Sequence, residues 1–134
     1  RGRADNRRER LIRITGGSVA AGAGLNYSKK AAAFWAALRI EARGQRWGDK
    51  IYFDIGLTAP AEKAREVVNV GDLAFWPPGN ALCLFFGRTP ASEGNEIRAA
   101  SAVNIVGCIE GKLDELWNVP DGAKVSLRAY SELP

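Results

Sequence analysis

Residues 72–87 read DLAFWPPGNALCLFFG, and this stretch decides the fold class. Residues 73–76 form a short apolar run. Pro77 and Pro78 cannot donate to a ladder and Gly79 tolerates positive φ, so Pro77-Pro78-Gly79-Asn80 predicts a turn. The run after it, residues 81–86, is apolar at every position, which predicts a central strand covered on both faces.

The same β signal continues outward in both directions. Ile51, Phe53 and Ile55 alternate with Lys50, Tyr52 and Asp54, predicting a strand with one buried face and one that presents Tyr52 and Asp54 outward or toward a groove. Residues 66–70 read as a strand closed by Gly71-Asp72, residues 103–109 as another, and residues 123–130 as a last one, with Val125, Leu127 and Ala129 alternating against Lys124, Ser126 and Arg128. Residues 88–102 are polar and predict a long loop of the kind that often carries function. Near the start, residues 11–15, a Gly16-Gly17 turn and residues 18–25 predict a hairpin. Ser28 then stands as an N-cap before KKAAAFWAALR, where Ala31, Phe34, Trp35 and Leu38 fall on one helical stripe. Residues 112–117 suit a helical turn. Six to eight short strands with one or two short helices predict a mainly β fold, a closed or nearly closed barrel.

Composition narrows the function classes. The chain has 134 residues, 19 Lys plus Arg, 15 Asp plus Glu, two Cys, and neither His nor Met. That length suits one domain, and no apolar run reaches the roughly 18–20 residues that span a bilayer. Without histidine there is no Ser-His-Asp or Cys-His machinery and no zinc site of the usual His-containing kinds. The +4 net charge is local: residues 1–13 hold six Arg and two acids, leaving 13 basic and 13 acidic residues beyond. The expected organisation is a basic arm, residues 1–10, ahead of a neutral barrel, residues 11–134. Arg1, Arg3, Arg7, Arg8 and Arg10 would dock the arm on an anionic surface, whether acidic protein, lipid headgroups or nucleic acid. A chain that opens Arg-Gly-Arg with no Met predicts a segment upstream of Arg1, which suits a processed presequence and a mitochondrial matrix or other organellar location; otherwise a cytoplasmic one is expected.

The stretches RWGDKIYF (46–53), REVVNVGDL (65–73), WPPGNALCLFFG (76–87), Thr89-Pro90 and ASAVNIVG (100–107) resemble the small cyclophilin-like barrel family of uncharacterised prokaryotic proteins. The resemblance covers roughly residues 11–130, in order and at compatible spacing. It implies a compact β-barrel with one or two short helices, a reduced relative of the peptidyl-prolyl isomerase fold. Fold does not carry function with it. Classical cyclophilins line their proline groove with an Arg, a Gln, a Trp, a His and several aromatics, and this chain lacks the His and the phenylalanine-rich motif. Arg46, Arg65, Arg88 and Arg98 are the candidates for an amide-polarising group, and none aligns with the classical one.

The remaining signals are ambiguous one by one. Trp47 can stack on a ligand beside Arg46, which suits a carboxylate or phosphate, or can plug one end of the barrel. Trp76 and the Pro-Pro turn after it suit a recognition surface or simply a rigid turn. Asp49 and Asp54 fall on opposite strand faces, so they are no acid/base pair. Cys83 and Cys108 are expected on adjacent core strands as buried free thiols, without metal-ligand spacing. The reading is therefore a non-catalytic binding module. Arg46, Trp47, Tyr52, Trp76, Asn80 and Arg88 would hold a small anionic ligand or a peptide segment at the barrel mouth, with no metal or cofactor. The alternatives are an accessory subunit of a large assembly, such as a respiratory complex or ribosome, and, third, a weak isomerase.

Overall fold

A computed structural model describes residues 10–56, 64–111 and 113–130. Of the expected arm, residues 1–10, the first nine lie outside the described residues, so of its arginines only Arg10 is placed.

Ten strands and one α-helix are found among the described residues: β1 (Leu11–Gly16), β2 (Val19–Leu25), α1 (Lys29–Ala37), β3 (Ile40–Arg43), β4 (Gln45–Arg46), β5 (Lys50–Asp54), β6 (Arg65–Val68), β7 (Asp72–Trp76), β8 (Ala81–Phe85), β9 (Ile97–Glu110) and β10 (Lys124–Ala129). Short 3₁₀ turns occupy Pro77–Gly79 and Asp114–Asn118. Every pairing is antiparallel, in the order β3-β10-β1-β2-β9-β7-β8-β5-β4, with β6 lying on β9. The two end strands, β3 and β4, are consecutive in the chain and separated only by Gly44. The ladder therefore does not close by strand pairing; the backbone itself crosses the seam. Gly44 N–H donates to Ala123 O at 2.8 Å, and Gly122 N–H returns the bond to Gly44 O at 2.7 Å. The result is a nearly closed barrel.

The all-apolar run behaves as its composition dictates. β8 is buried at every position and pairs with β5 on one side and β7 on the other. Leu82 and Leu84 enter the main core with Ile14, Phe53, Phe75 and Leu127. Cys83 and Phe85 face the opposite way, into a smaller cluster with Val68, Ala74, Ile97 and Val103. The first half of β9 and strand β6 cover this second face. Helix α1 starts where Ser28 Oγ accepts from Ala31 N–H at 3.1 Å, and it contributes Ala31 and Phe34 to the main core.

Four expectations need correction. β3 and β4 add to the expected strand count: IEARGQR has no apolar alternation, and β3 is held as a strand by β10 and β4 by β5. The polar loop ends at Glu96 rather than 102: β9 begins at Ile97, held by β6 through the Val67–Arg98 and Val68–Ile97 pairs. Cys83 and Cys108 are not on adjacent strands, since β7 lies between β8 and β9, and Cys108 is exposed. A bulge where β7 meets β9 shifts the phase, so Val106 and Ile109 both turn into the main core and Cys108 turns out. In the Pro-Pro turn the left-handed residue is Asn80 (φ 48°), not Gly79.

Candidate functional site

Lys50 and Tyr52 sit two apart on β5 and share the face that carries the second cluster; their partners across the ladder are Phe85 and Cys83. Before β5 the chain makes a tight turn, with Trp47 N–H donating to Lys50 O at 2.9 Å and Lys50 N–H donating to Trp47 O at 3.2 Å. Gly48 makes this turn with φ 60°. A Cβ there would lie 2.8–2.9 Å from Pro90 Cδ, Arg88 O and Thr89 Cα, so only glycine fits under the neighbouring loop. The turn brings the Trp47 ring back over Lys50. From the other side comes Trp76, fixed by a 2.7 Å hydrogen bond from its Nε1–H to Ser101 Oγ and packed edge-on against Tyr52.

These rings enclose an ammonium group. Lys50 Nζ lies 4.5 Å from the ring centroids of Trp47 and Tyr52, 5.3 Å from Trp76 and 5.9 Å from Phe85. All four are within cation–π range. The residue is only 2% exposed, and among the described residues Nζ makes no hydrogen bond or ion pair. Burial pushes its pKa below that of an ordinary lysine, with the Cys83 thiol acting weakly in the other direction. Burial pushes Cys83 itself up to about 12.

The sequence-derived candidates thus divide. Trp47, Tyr52 and Trp76 come together. Arg46 turns away: its Nη1 donates to Val119 O at 3.0 Å and Trp117 O at 3.3 Å, its Nη2 to Gly48 O at 3.4 Å, and its guanidinium lies over the Phe86 ring. Arg88 donates to Ser92 O within its own loop, and Arg98 is paired with Glu96 and Glu66. Asn80 lies at the far end of the β5–β8 ladder, roughly 16 Å of strand from Lys50. Sequence reasoning missed Lys50 itself. Its signal was present, since alternation put it on the Tyr52 face with Trp47 three residues before it.

Among the described residues the barrel interior holds only a small void. The void bounded by Ile14, Phe53, Leu84, Leu116 and Val125 measures about 10 Å³, at most one water. Open space lies instead on the outside, on the same sheet face as the aromatic box. One cleft of about 600 Å³ is lined by Leu25, Tyr27, Asp72, Ile105, Cys108 and Glu110 among others. A second, of about 680 Å³, shares Tyr27 and Ile105 and runs on to Lys29, Lys30 and Arg65. Among the described residues no three Cys, Asp or Glu side chains converge to hold a metal ion, and no helix is long and apolar enough to cross a membrane.

Comparison with curated proteins gives no match. Among solved structures, the chain is similar to a hypothetical protein of Archaeoglobus fulgidus whose solution structure is known. The two are 37% identical with a TM-score of 0.77, over 90% of this chain and 95% of that one. The family described as cyclophilin-like matches residues 10–128. With the nearly closed antiparallel barrel and that match over most of its length, the chain belongs to the cyclophilin-like family.

Proposed function

We propose that this domain is a non-catalytic binding module whose ligand carries a carboxylate, received by the Lys50 ammonium between Trp47, Tyr52 and Trp76. One observation supports this reading above the others: a lysine ammonium set among the rings of Trp47, Tyr52 and Trp76 that makes no hydrogen bond or ion pair among the described residues. Each ring face contributes roughly 0.5–2 kcal/mol to holding the charge there. A ligand carboxylate would supply the missing acceptors and the opposite charge together, in a setting where charge-assisted bonds are strong.

The same geometry argues for an anion over a cation. Aromatic boxes bind ammonium ligands when they are empty, and here the protein's own lysine fills the box. Catalysis has less support. Of the four candidate arginines, Arg46, Arg88 and Arg98 are engaged with carbonyls or carboxylates, and the chain has no imidazole.

Calorimetric titration with phenylacetate, phenylacetamide and inorganic phosphate tests the reading. Phenylacetate is expected to bind and phenylacetamide, of nearly the same shape without the charge, to fail. Equal binding of the acid and the amide would overturn the role of Lys50, and binding of phosphate alone would overturn the carboxylate assignment.

A further inference from the structure

The two open clefts share Tyr27 and Ile105 and so adjoin as the two halves of a trough, and their linings differ in charge. Its middle is apolar and aromatic. Tyr27 is 45% exposed, with its ring held under the Arg10 guanidinium at 4.7 Å, while Arg10 is itself tied by Nη1 to Asn26 O at 3.2 Å. One end carries the carboxylates of Asp72 and Glu110, and among the described residues no basic side chain lines it. The other end carries Lys29 and Arg65, and among the described residues no acidic side chain lines it.

We infer that this trough docks an extended polypeptide segment bearing one basic and one acidic side chain, the basic one on Asp72 and Glu110 and the acidic one on Lys29 and Arg65. Charge complementarity commits the trough to this occupant. A nucleic acid would meet like charge at the Asp72 end, and a uniformly basic peptide would meet it at the Arg65 end. Each cleft is of the size that takes a small ligand, so a single amino acid fills one and leaves the other empty. A segment in strand conformation advances about 3.3 Å per residue and reaches both. Asp72 is prepared for the basic partner. It is nearly buried, its Oδ2 accepts Asn69 N–H at 2.8 Å, and burial raises its pKa against the opposing pull of that bond and of Arg65. A ligand cation would stabilise the ionised form.

The inference goes beyond the Lys50 reading and is tested apart from it. The probes are the capped peptide acetyl-Lys-Ala-Leu-Ala-Glu-amide and two analogues with glutamine in place of the lysine or of the glutamate, titrated into the ¹⁵N-labelled full chain. The parent peptide is expected to shift the amides of Tyr27, Ile105 and Cys108 and to bind roughly ten-fold more tightly than either analogue, the size of one charge-assisted contact. Arg65→Ala, on an exposed strand edge, should weaken the parent toward the affinity of the glutamate-lacking analogue and change that analogue by less. Asp72→Asn keeps an acceptor for Asn69 N–H and should remove the preference for the lysine. Equal affinity for all three peptides, no binding, or shifts confined to residues 47–52 would overturn the inference.

Discussion

Gly107→Ala is expected to destabilise the domain by about 3 kcal/mol or more, lowering its melting temperature by roughly 10 °C, whereas Gly22→Ala on the neighbouring strand should change it little. Gly107 sits in the middle of β9, opposite Leu25 of β2 and Leu73 of β7. A Cβ there would lie 2.2 Å from Gly24 O and 3.0 Å from the Leu25 Cα, both backbone atoms that cannot rotate aside. Relief requires β2 and β9 to separate, and this breaks the ladder from Gly22–Glu110 to Leu25–Gly107 that joins the two halves of the barrel. Gly22 is the matched control. It lies on β2 with ordinary φ, and an added Cβ would meet only Ile12 O at 4.0 Å. Thermal unfolding by circular dichroism of the two variants reads the contrast. Two equally mild effects would show that β9 does not run against β2 as described.

Lys50→Met is expected to abolish phenylacetate binding while leaving the domain folded, and at neutral pH as stable as the parent or more stable by up to about 2 kcal/mol. Methionine fills similar volume among the four rings, and replacing a buried charge by an apolar group removes its desolvation cost. The pH dependence gives a second readout. The lysine pKa is depressed in the folded state, so between that value and the ordinary 10.5 the unfolded chain holds a proton that the folded chain lacks, and stability rises with pH across that window. Cys83 acts in the opposite sense. Between 9.0 and about 12 the folded chain keeps a thiol proton that the unfolded chain has lost, and stability falls as pH rises. In the parent the two effects oppose each other. In Lys50→Met only the fall remains, so chemical unfolding above pH 9 should show the variant losing stability more steeply. Unchanged phenylacetate affinity in a folded variant would remove Lys50 from the site.

The parts of the fold legible in the sequence are those where periodicity survives packing. β8 is apolar throughout because both faces are covered, β10 alternates because one face is, and Ser28 caps a helix whose Ala31 and Phe34 reach the core. What the sequence hid is set by tertiary contacts. β3 and β4 exist because the chain crosses the barrel seam. The first residues of β9 follow directly on a polar loop yet become strand because β6 pairs with them and Trp76 bonds Ser101. The bulge against β7 reversed the reading of Cys108. The site divides along the same line. Trp47, Tyr52 and Trp76 stand out as aromatics beside turns and on a half-buried strand. Lys50 looked like a solvated residue, because burial of a lysine depends on rings brought from three separate segments.

The most direct test follows the Lys50 side chain itself. In a protein labelled with ¹³C-lysine, the Cε signal of Lys50, assigned by its loss in Lys50→Met, is followed against pH with and without saturating phenylacetate. The ammonium is expected to titrate below the ordinary lysine value when alone and to move back toward 10.5 when the carboxylate is bound. The same titration curve in both samples would contradict the account.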